Sequence, residues 1–272
     1  MKTVLTLIVL VVFSFSLFGQ NTKTDKPNFD IADFNKKFEV AQWLVEYDTV
    51  AWKTSDVVMK EDEKELKRLG REWFCFQDKN KLWHAVYGKF ENDKYDLVFH
   101  YTMDGTGKIA KSNEKNDAEF LNSHARALAT ATKQVTAKVG TQAPLFNQYI
   151  KQNVDKTFSV WIFPAFQPNS LAVYGGEFIY TIDNAGTKIT KDESYMQESF
   201  RGFKTQPPIE IWLNYRELEK PTLVAIFFFW YYKQYFTNIF IDNSKTTSTV
   251  VQNSDKSYIW VHVEKEQETK SK

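Results

Sequence analysis

The chain has 272 residues, with 35 lysines and arginines against 34 aspartates and glutamates. A formal charge of +1 argues against a nucleic-acid-binding protein, because such a protein needs a basic face to displace counterions. The single cysteine, Cys75, excludes an intramolecular disulfide scaffold and a zinc site built from several cysteines. Aromatic residues make up 16% of the chain, against only 10 glycines and 7 prolines, so most of the sequence can bury a large core and is unlike a disordered protein.

Residues 1–19 have the layout of a Sec-type secretory signal peptide. Lys2 supplies a positive charge, residues 4–18 form an uncharged apolar run, and Gly19 offers a small residue before a polar stretch. The run is shorter than the roughly 20 residues that span a bilayer, which favours a cleaved signal over a retained membrane anchor. We therefore expect cleavage after Gly19, with Ser14 and Ser16 as a rival small-residue pair, and no stable membrane insertion afterwards.

The signal region also limits the location of the protein. No cysteine lies directly after the apolar run, since the only one is Cys75, so the protein is not expected to be a lipoprotein. A signal peptide ending in Phe-Gly-Gln is similar to those of envelope proteins of Gram-negative bacteria, although the resemblance covers only about 20 residues and implies no activity. We expect a secreted or periplasmic protein.

Three helices are predicted after a polar leader over residues 20–28. Apolar residues recur every three or four positions from Ile31 to Val45, which predicts a helix capped by Asp30. A second, short helix is expected over residues 61–69. The third and clearest runs over about 116–139, with Asn116 as its N-cap and Gly140 as its end.

Strands are predicted around the third helix. Residues 71–77, 81–90 and 95–104 are rich in aromatic and β-branched residues and are separated by turn sequences. In residues 95–104, strict alternation places five large side chains on one buried face and His100 on the opposite, polar face. The five are Tyr95, Leu97, Phe99, Tyr101 and Met103.

A second set of strands follows the third helix. Residues 157–166, 171–183 and a short strand at Ile189 come first, and a short helix or loop is expected over about 194–203. Further strands are predicted over residues 208–215, 223–232, 237–242, 247–251 and 258–264. The most apolar of them, residues 223–232, is interpreted as a strand buried on both faces, because it is rich in Phe, Tyr and Val.

The two sets of strands show a weak internal sequence similarity. The string AVYG occurs at 85–88 and at 172–175, and residues 101–111 resemble residues 180–191. One interpretation is that hairpins with similar turns converge on similar strings. The other is a duplicated meander, with halves at about 71–111 and 157–191, and two copies are too few to decide.

These patterns predict an α+β fold over residues 29–264. We expect a single domain of antiparallel sheet with short, aromatic-rich strands, an N-terminal helix, and the helix over about 116–139 packed on one face. Residues 265–272 are predicted to form a charged, frayed tail.

Candidate site residues are few. The four histidines (His84, His100, His124 and His262) show no metal-ligand spacing, so no metal or other cofactor is predicted. His124 is interpreted as a hydrogen-bonded histidine at the core edge and Cys75 as a buried, inert thiol. His100, with Asp96 and Thr102 on its face, is the best candidate for acid–base chemistry, although a solvated strand face is the simpler interpretation.

Two classes of function stay open from the sequence. The favoured one is a non-catalytic binding or interaction module of the bacterial envelope, which binds a small molecule or an envelope protein through a sheet face or a groove. The alternative is a secreted hydrolase whose site is assembled from dispersed residues around His100. A shallow aromatic groove favours the first, and a deep pocket joining His100 to a second titratable group favours the second.

Overall fold

The computed structural model describes residues 29–140 and 143–265. The predicted signal peptide (1–19), the polar leader (20–28) and the charged tail beyond Lys265 lie outside the described residues. Within these ranges, none of the helices combines the length and the apolar composition of a membrane span.

The described chain contains four helices and thirteen strands. The helices are α1 (Ile31–Val58), α2 (Glu63–Leu66), α3 (Ala118–Val139) and α4 (Leu223–Tyr232). The strands before α4 are β1 (Trp73–Gln77), β2 (Trp83–Glu91), β3 (Lys94–Met103), β4 (Ile109–Lys111), β5 (Phe146–Gln152), β6 (Phe158–Pro164), β7 (Leu171–Ile182), β8 (Ile189–Asp192), β9 (Tyr195–Lys204) and β10 (Glu210–Tyr215). Those after it are β11 (Asn238–Asn243), β12 (Thr246–Gln252) and β13 (Tyr258–Glu264).

The strands form three sheets. The first is the antiparallel meander β1-β2-β3-β4, and the second has the order β5-β6-β7-β8, with β9 paired to β7. The third has the order β10-β11-β12-β13. Its β10 and β11 are parallel, which departs from the all-antiparallel expectation, because α4 connects them as a crossover helix.

Two hydrophobic cores lie on opposite faces of the first two sheets. Strand β1 lies beside β5, so the two sheets adjoin, and α3 covers one face of both. Helices α1 and α4 cover the other face, and the third sheet packs against α4. The predicted fold class is confirmed: the protein is α+β, with antiparallel sheets of aromatic-rich strands, an N-terminal helix and a long helix on one face.

The predicted helix ends are close to those observed. Asp30 caps α1 by accepting a hydrogen bond from the Asp33 amide at 3.0 Å, but α1 continues well beyond Val45. Helix α3 ends at Val139, and Gly140 has a φ of +70°, which favours glycine. The predicted N-cap Asn116 is wrong by one residue, since the Asp117 carboxylate accepts from the Glu119 amide at 3.1 Å.

The prediction of a strand over residues 223–232 is wrong, because these residues form α4. The helix is apolar all round because it is enclosed by α1, β7 and the third sheet. A continuous apolar run has no periodicity that separates a buried helix from a buried strand. The side chain of Thr222 begins the helix by accepting from the Ala225 amide at 3.1 Å.

The expected helix or loop over residues 194–203 is also wrong, because these residues form β9, antiparallel to β7. Glycines 175 and 176 of β7 make this close pairing possible. A Cβ on Gly175 would lie 2.9 Å from the Ser199 carbonyl oxygen, and one on Gly176 would lie 2.5 Å from the Phe200 ring. Both glycine positions therefore leave space that β9 fills.

A β-bulge in β3 splits the predicted single face. Tyr87 pairs with Phe99 and Gly88 pairs with Leu97, so Val98 is the extra residue. Phe99, Tyr101 and Met103 face the core around α1, whereas Tyr95 and Leu97 pack in the core around α3. Four of the five are buried and Leu97 is half-buried.

The buried positions predicted for β7 are confirmed, since Phe178, Tyr180 and Ile182 are all enclosed. His100 does lie opposite Phe99 and Tyr101, but the prediction of a solvated position is wrong. Its side chain is only 4% exposed, because α3 and the segment leading into it cover this face of the first sheet.

Candidate functional site

His100 forms a buried pair with His84 of the neighbouring strand. Nδ1 of His84 lies 2.9 Å from Nε2 of His100, and Nδ1 of His100 lies 3.3 Å from the Asn116 amide nitrogen. In a pair of neutral imidazoles one ring nitrogen donates to the other across this contact. Nε2 of His84 is buried with no partner among the described residues.

The environment of the pair favours neutral rings. Burial lowers the pKa of both histidines, and the neighbouring His84 lowers that of His100 further. Phe76 stacks on His84 at 4.7 Å between ring centroids. The side-chain hydrogen-bond partners of His100 in the described chain are His84 and Asn116. The nearby carboxylates Glu114 and Asp78 raise the pKa of the pair through their charge but do not form a side-chain hydrogen bond with it.

The other histidines and the cysteine have structural surroundings. His124 is buried, its Nδ1 lies 2.7 Å from the Phe120 carbonyl oxygen, and its ring stacks on Phe74, which confirms the predicted core position. Cys75 is fully buried, and burial raises the pKa of its thiol well above the usual value. In the ranges described, no cluster of three or more histidine, cysteine, aspartate or glutamate residues is arranged to hold a metal ion.

The most distinctive site is a groove of about 700 Å³ beside α1, which we call the aromatic groove. It lies between the second half of α1, the start of β1, the chain after β6, and the end of α4. Its aromatic lining consists of Trp52, Trp73, Phe166, Trp230, Tyr231, Tyr232 and Tyr235.

Several of these rings are open to solvent. Trp52 is 62% exposed, on the side of α1 that turns away from the core. Phe166 and Tyr235 are also exposed and stack on each other with ring centroids 6.0 Å apart. Large apolar side chains gathered in a concave surface are typical of a ligand site, whereas single exposed ones are not.

A buried carboxylate, Asp48, lines the groove. Its Oδ1 accepts hydrogen bonds at 2.9 Å from both the Asn147 amide and the Tyr149 hydroxyl, and its Oδ2 accepts one at 2.6 Å from Tyr231. Burial raises the pKa of Asp48, while these three donors act in the opposite direction. No lysine or arginine of the described chain forms an ion pair with Asp48, so uncharged donors alone hold it.

A cation, Lys233, also lines the groove. The Lys233 ammonium sits 4.0 Å from the centroid of the Trp230 ring and donates to the Trp230 carbonyl oxygen at 2.8 Å. Burial lowers the pKa of Lys233. The groove therefore offers stacking surfaces, one acceptor group and one donor group, with opposite charges at separate places.

A second cleft, of about 680 Å³, lies between α1, β7 and the loop before α4. Its floor includes Glu177, whose Oε2 accepts from the Val224 amide at 3.2 Å and whose Oε1 has no partner among the described residues. Burial raises the pKa of Glu177 to about 7. Oε1 is buried and the residue is only 3% exposed, so the carboxyl group is less accessible than the aromatic surfaces of the groove.

The linings of the described clefts include neither His84 nor His100. His100, the candidate chosen from the sequence, therefore does not belong to the aromatic groove. Sequence reasoning missed the groove because its residues come from segments as distant as Asp48, Asn147 and Tyr231. The available signal was Trp52, a large aromatic residue beside the buried Ala51 of α1. Comparisons with protein families, with curated proteins and with solved structures found no match to this chain.

Proposed function

We propose that the protein is a non-catalytic binding module of the bacterial envelope, secreted or periplasmic, and that the aromatic groove binds a carbohydrate. The observation that carries this proposal is the exposed aromatic surface around Trp52, set beside the buried Asp48 carboxylate. A large ring with no role in the core exposes apolar area at a cost unless it has a partner.

The charges of the groove support a neutral, hydroxyl-rich ligand. A sugar ring presents an apolar C–H face that can stack on tryptophan, and hydroxyl groups that donate to a carboxylate and accept from an ammonium group. Lys233 already occupies the face of Trp230, which disfavours an organic cation at that ring. Asp48, in turn, disfavours an anion in its part of the groove.

The first experiment is calorimetric titration of the chain from Gln20 onward with soluble oligosaccharides, including oligomers of N-acetylglucosamine and of glucose. We expect at least one of them to bind with millimolar or better affinity. The Trp52→Ala variant should weaken this binding about 10-fold or more, since aromatic residues dominate binding energy in such sites.

Trp212→Ala is the matched control for this titration. Trp212 is also an exposed tryptophan, 47% accessible, but it lies on the third sheet, away from the groove. The control variant should bind like the unmodified protein. Absence of binding by every oligosaccharide, or equal binding by Trp52→Ala, would contradict the proposal.

The second candidate function is a secreted hydrolase centred on His100. The His84–His100 hydrogen bond favours it, because paired imidazoles can pass a proton. It is the weaker proposal, since a substrate would have to reach a ring that is 4% exposed. Hydrolysis of a bound oligosaccharide that is lost in His100→Gln would favour the enzyme over the binding module.

A further inference from the structure

The third sheet has a long edge strand, β13, that differs from the edge strands β4 and β8 of the other two sheets. The edge strands β4 and β8 are only three and four residues long, and each carries a lysine. β13 has seven residues and contains no charged side chain from Tyr258 to Val263. Edge strands are usually protected against pairing by charges, prolines, bulges or short length, and β13 has none of these before its last residue, Glu264.

The backbone of β13 presents an unpaired row of hydrogen-bonding groups. The Asn253 amide donates to the Ser257 carbonyl oxygen, and the Lys265 amide donates to the Lys245 carbonyl oxygen. These two bonds show which residue pairs of β12 and β13 are the hydrogen-bonded ones. Alternate residues of an antiparallel strand point their N–H and C=O groups to opposite sides. Residues 258, 260, 262 and 264 therefore direct theirs to the free edge, where the described chain supplies no partner strand.

The outer face of β13 is apolar as well. Ile259, Val261 and Val263 all lie on the side of the sheet that turns away from α4, and Val251 of β12 lies next to them. All four are exposed. An apolar stripe that reaches an open edge is typical of a strand that pairs with a strand of another chain.

We propose that two copies of this chain pair edge to edge, with β13 antiparallel to its symmetry mate across a two-fold axis through Val261. This register places Val261 opposite Val261 of the other copy. The backbone N–H and C=O groups of Val261 already point toward β12, so this pair across the free edge has to be a non-hydrogen-bonded one. The backbone of Trp260 then forms a hydrogen-bonded pair with that of His262 in the other copy. The side chain of Ile259 packs beside that of Val263 in the other copy. The two-fold axis uses every free backbone group of the strand.

Charge complementarity favours a second copy over an unrelated strand. In this register Lys256, in the turn before β13, lies diagonal to Glu264 of the other copy, and the symmetry repeats the contact at the other end. Neither residue has an ionic partner among the described residues, whereas Lys265 is held by Asp242 at 2.5 Å. The strand is thus uncharged along its length and complementary to itself at its ends.

Cysteine cross-linking tests this register directly. The native cysteine, Cys75, is buried, so a Val261→Cys variant would carry a single accessible thiol. Across the two-fold axis the two Cα atoms would lie about 4.5 Å apart, close enough for a disulfide. We expect a covalent dimer under mild oxidation.

Val251→Cys is the matched control, because Val251 is exposed on the same face but lies one strand further in. Its two copies would be about 20 Å apart, because three strand spacings separate them across the sheet and four residues separate them along the strands, and they should not cross-link. Cross-linking of both variants would indicate face-to-face packing and overturn the proposed register.

Sedimentation of the unmodified chain from Gln20 onward gives an independent test. We expect a dimer at micromolar concentration, a monomer for Val261→Lys and a dimer for Val251→Lys. A monomeric unmodified protein at high micromolar concentration would overturn the proposal, whether β13 is then covered by the tail or pairs with another protein. Because Val261 is 37% exposed, the lysine variant should remain folded, which circular dichroism can check.

Discussion

At the scale of single residues, the structure has a carboxyl group in an unfavourable place. Glu177 is enclosed by β9 and by the first turn of α4, and it faces Lys37 from α1, Tyr195 from β9 and Tyr215 from β10. Burial raises the pKa of Glu177 to about 7 although Thr222, the Val224 amide and Lys37 act in the opposite direction. The folded protein therefore holds a proton on Glu177 that the unfolded chain releases at lower pH.

This shift predicts a pH-dependent stability. Because the folded pKa lies above the unfolded value of 4.5, the stabilising contribution is complete below pH 4.5 and is lost as the pH rises through 7. Between pH 5 and pH 8, the ionisation of Glu177 should lower the unfolding free energy by about 2 kcal/mol. Glu177→Gln should remove that part of the pH dependence, as measured by urea unfolding at both pH values. An unchanged difference between the two pH values would show that Glu177 is not the group responsible.

At the scale of elements, α4 depends on its N-cap more than on an amphipathic pattern. The Thr222 hydroxyl accepts from the Ala225 amide, and the helix behind it is apolar on every side. Thr222→Ala should lower the unfolding free energy by about 1 kcal/mol, because one amide of the first turn loses its acceptor. Thr222→Ser keeps the oxygen and should cost much less. Equal losses in thermal or urea unfolding would mean that packing of the threonine methyl group, and not capping, stabilises this end.

The elements that the sequence predicts well are those with a clear periodicity. Helix α3 has polar and apolar positions in a regular order, and Gly140 marks its end. Helix α4 lacks such an order, so composition alone favoured a strand. The bulge at Val98 could not be predicted either, because it depends on how β2 pairs with β3 rather than on either strand by itself.

The sequence could predict that a groove exists, but not which residues line it. The abundance of aromatic residues suggested a groove, but most of them fill the cores, as Tyr47 and Phe178 do. Trp52 and Phe166 meet only after α1 and the chain after β6 are packed together. His100 was expected in solvent because the segment before α3 carries no apolar pattern to indicate that it covers the first sheet.

At the scale of the whole molecule, the two meanders β1–β4 and β5–β8 have the same order of strands. Asp104 and Asp183 occupy the same place in their turns, where each accepts from a following lysine amide at 3.0 Å. The hairpin of β12 and β13, outside the proposed repeat, closes with a similar turn at Asn253. Turn chemistry thus recurs without duplication, and the internal repeat stays a prediction.

The proposed location of the protein predicts its processing. If residues 1–19 are a cleaved signal peptide, the protein exported by the cells that produce it should begin near Gln20. Intact-mass measurement and N-terminal sequencing can both check this. An intact Met1 on a chain that sediments with membranes would contradict the proposed cleavage.

The central claim, that the aromatic groove is the ligand site, is tested most directly by the indole N–H signals of the eight tryptophans in a two-dimensional NMR spectrum during oligosaccharide titration. The account predicts that the signals of Trp52, Trp73 and Trp230 shift together, because all three line the groove. The signal of Trp212, on the third sheet, should stay in place. Shifts confined to Trp161, which lines the second cleft, or no shifts at millimolar ligand, would contradict the account.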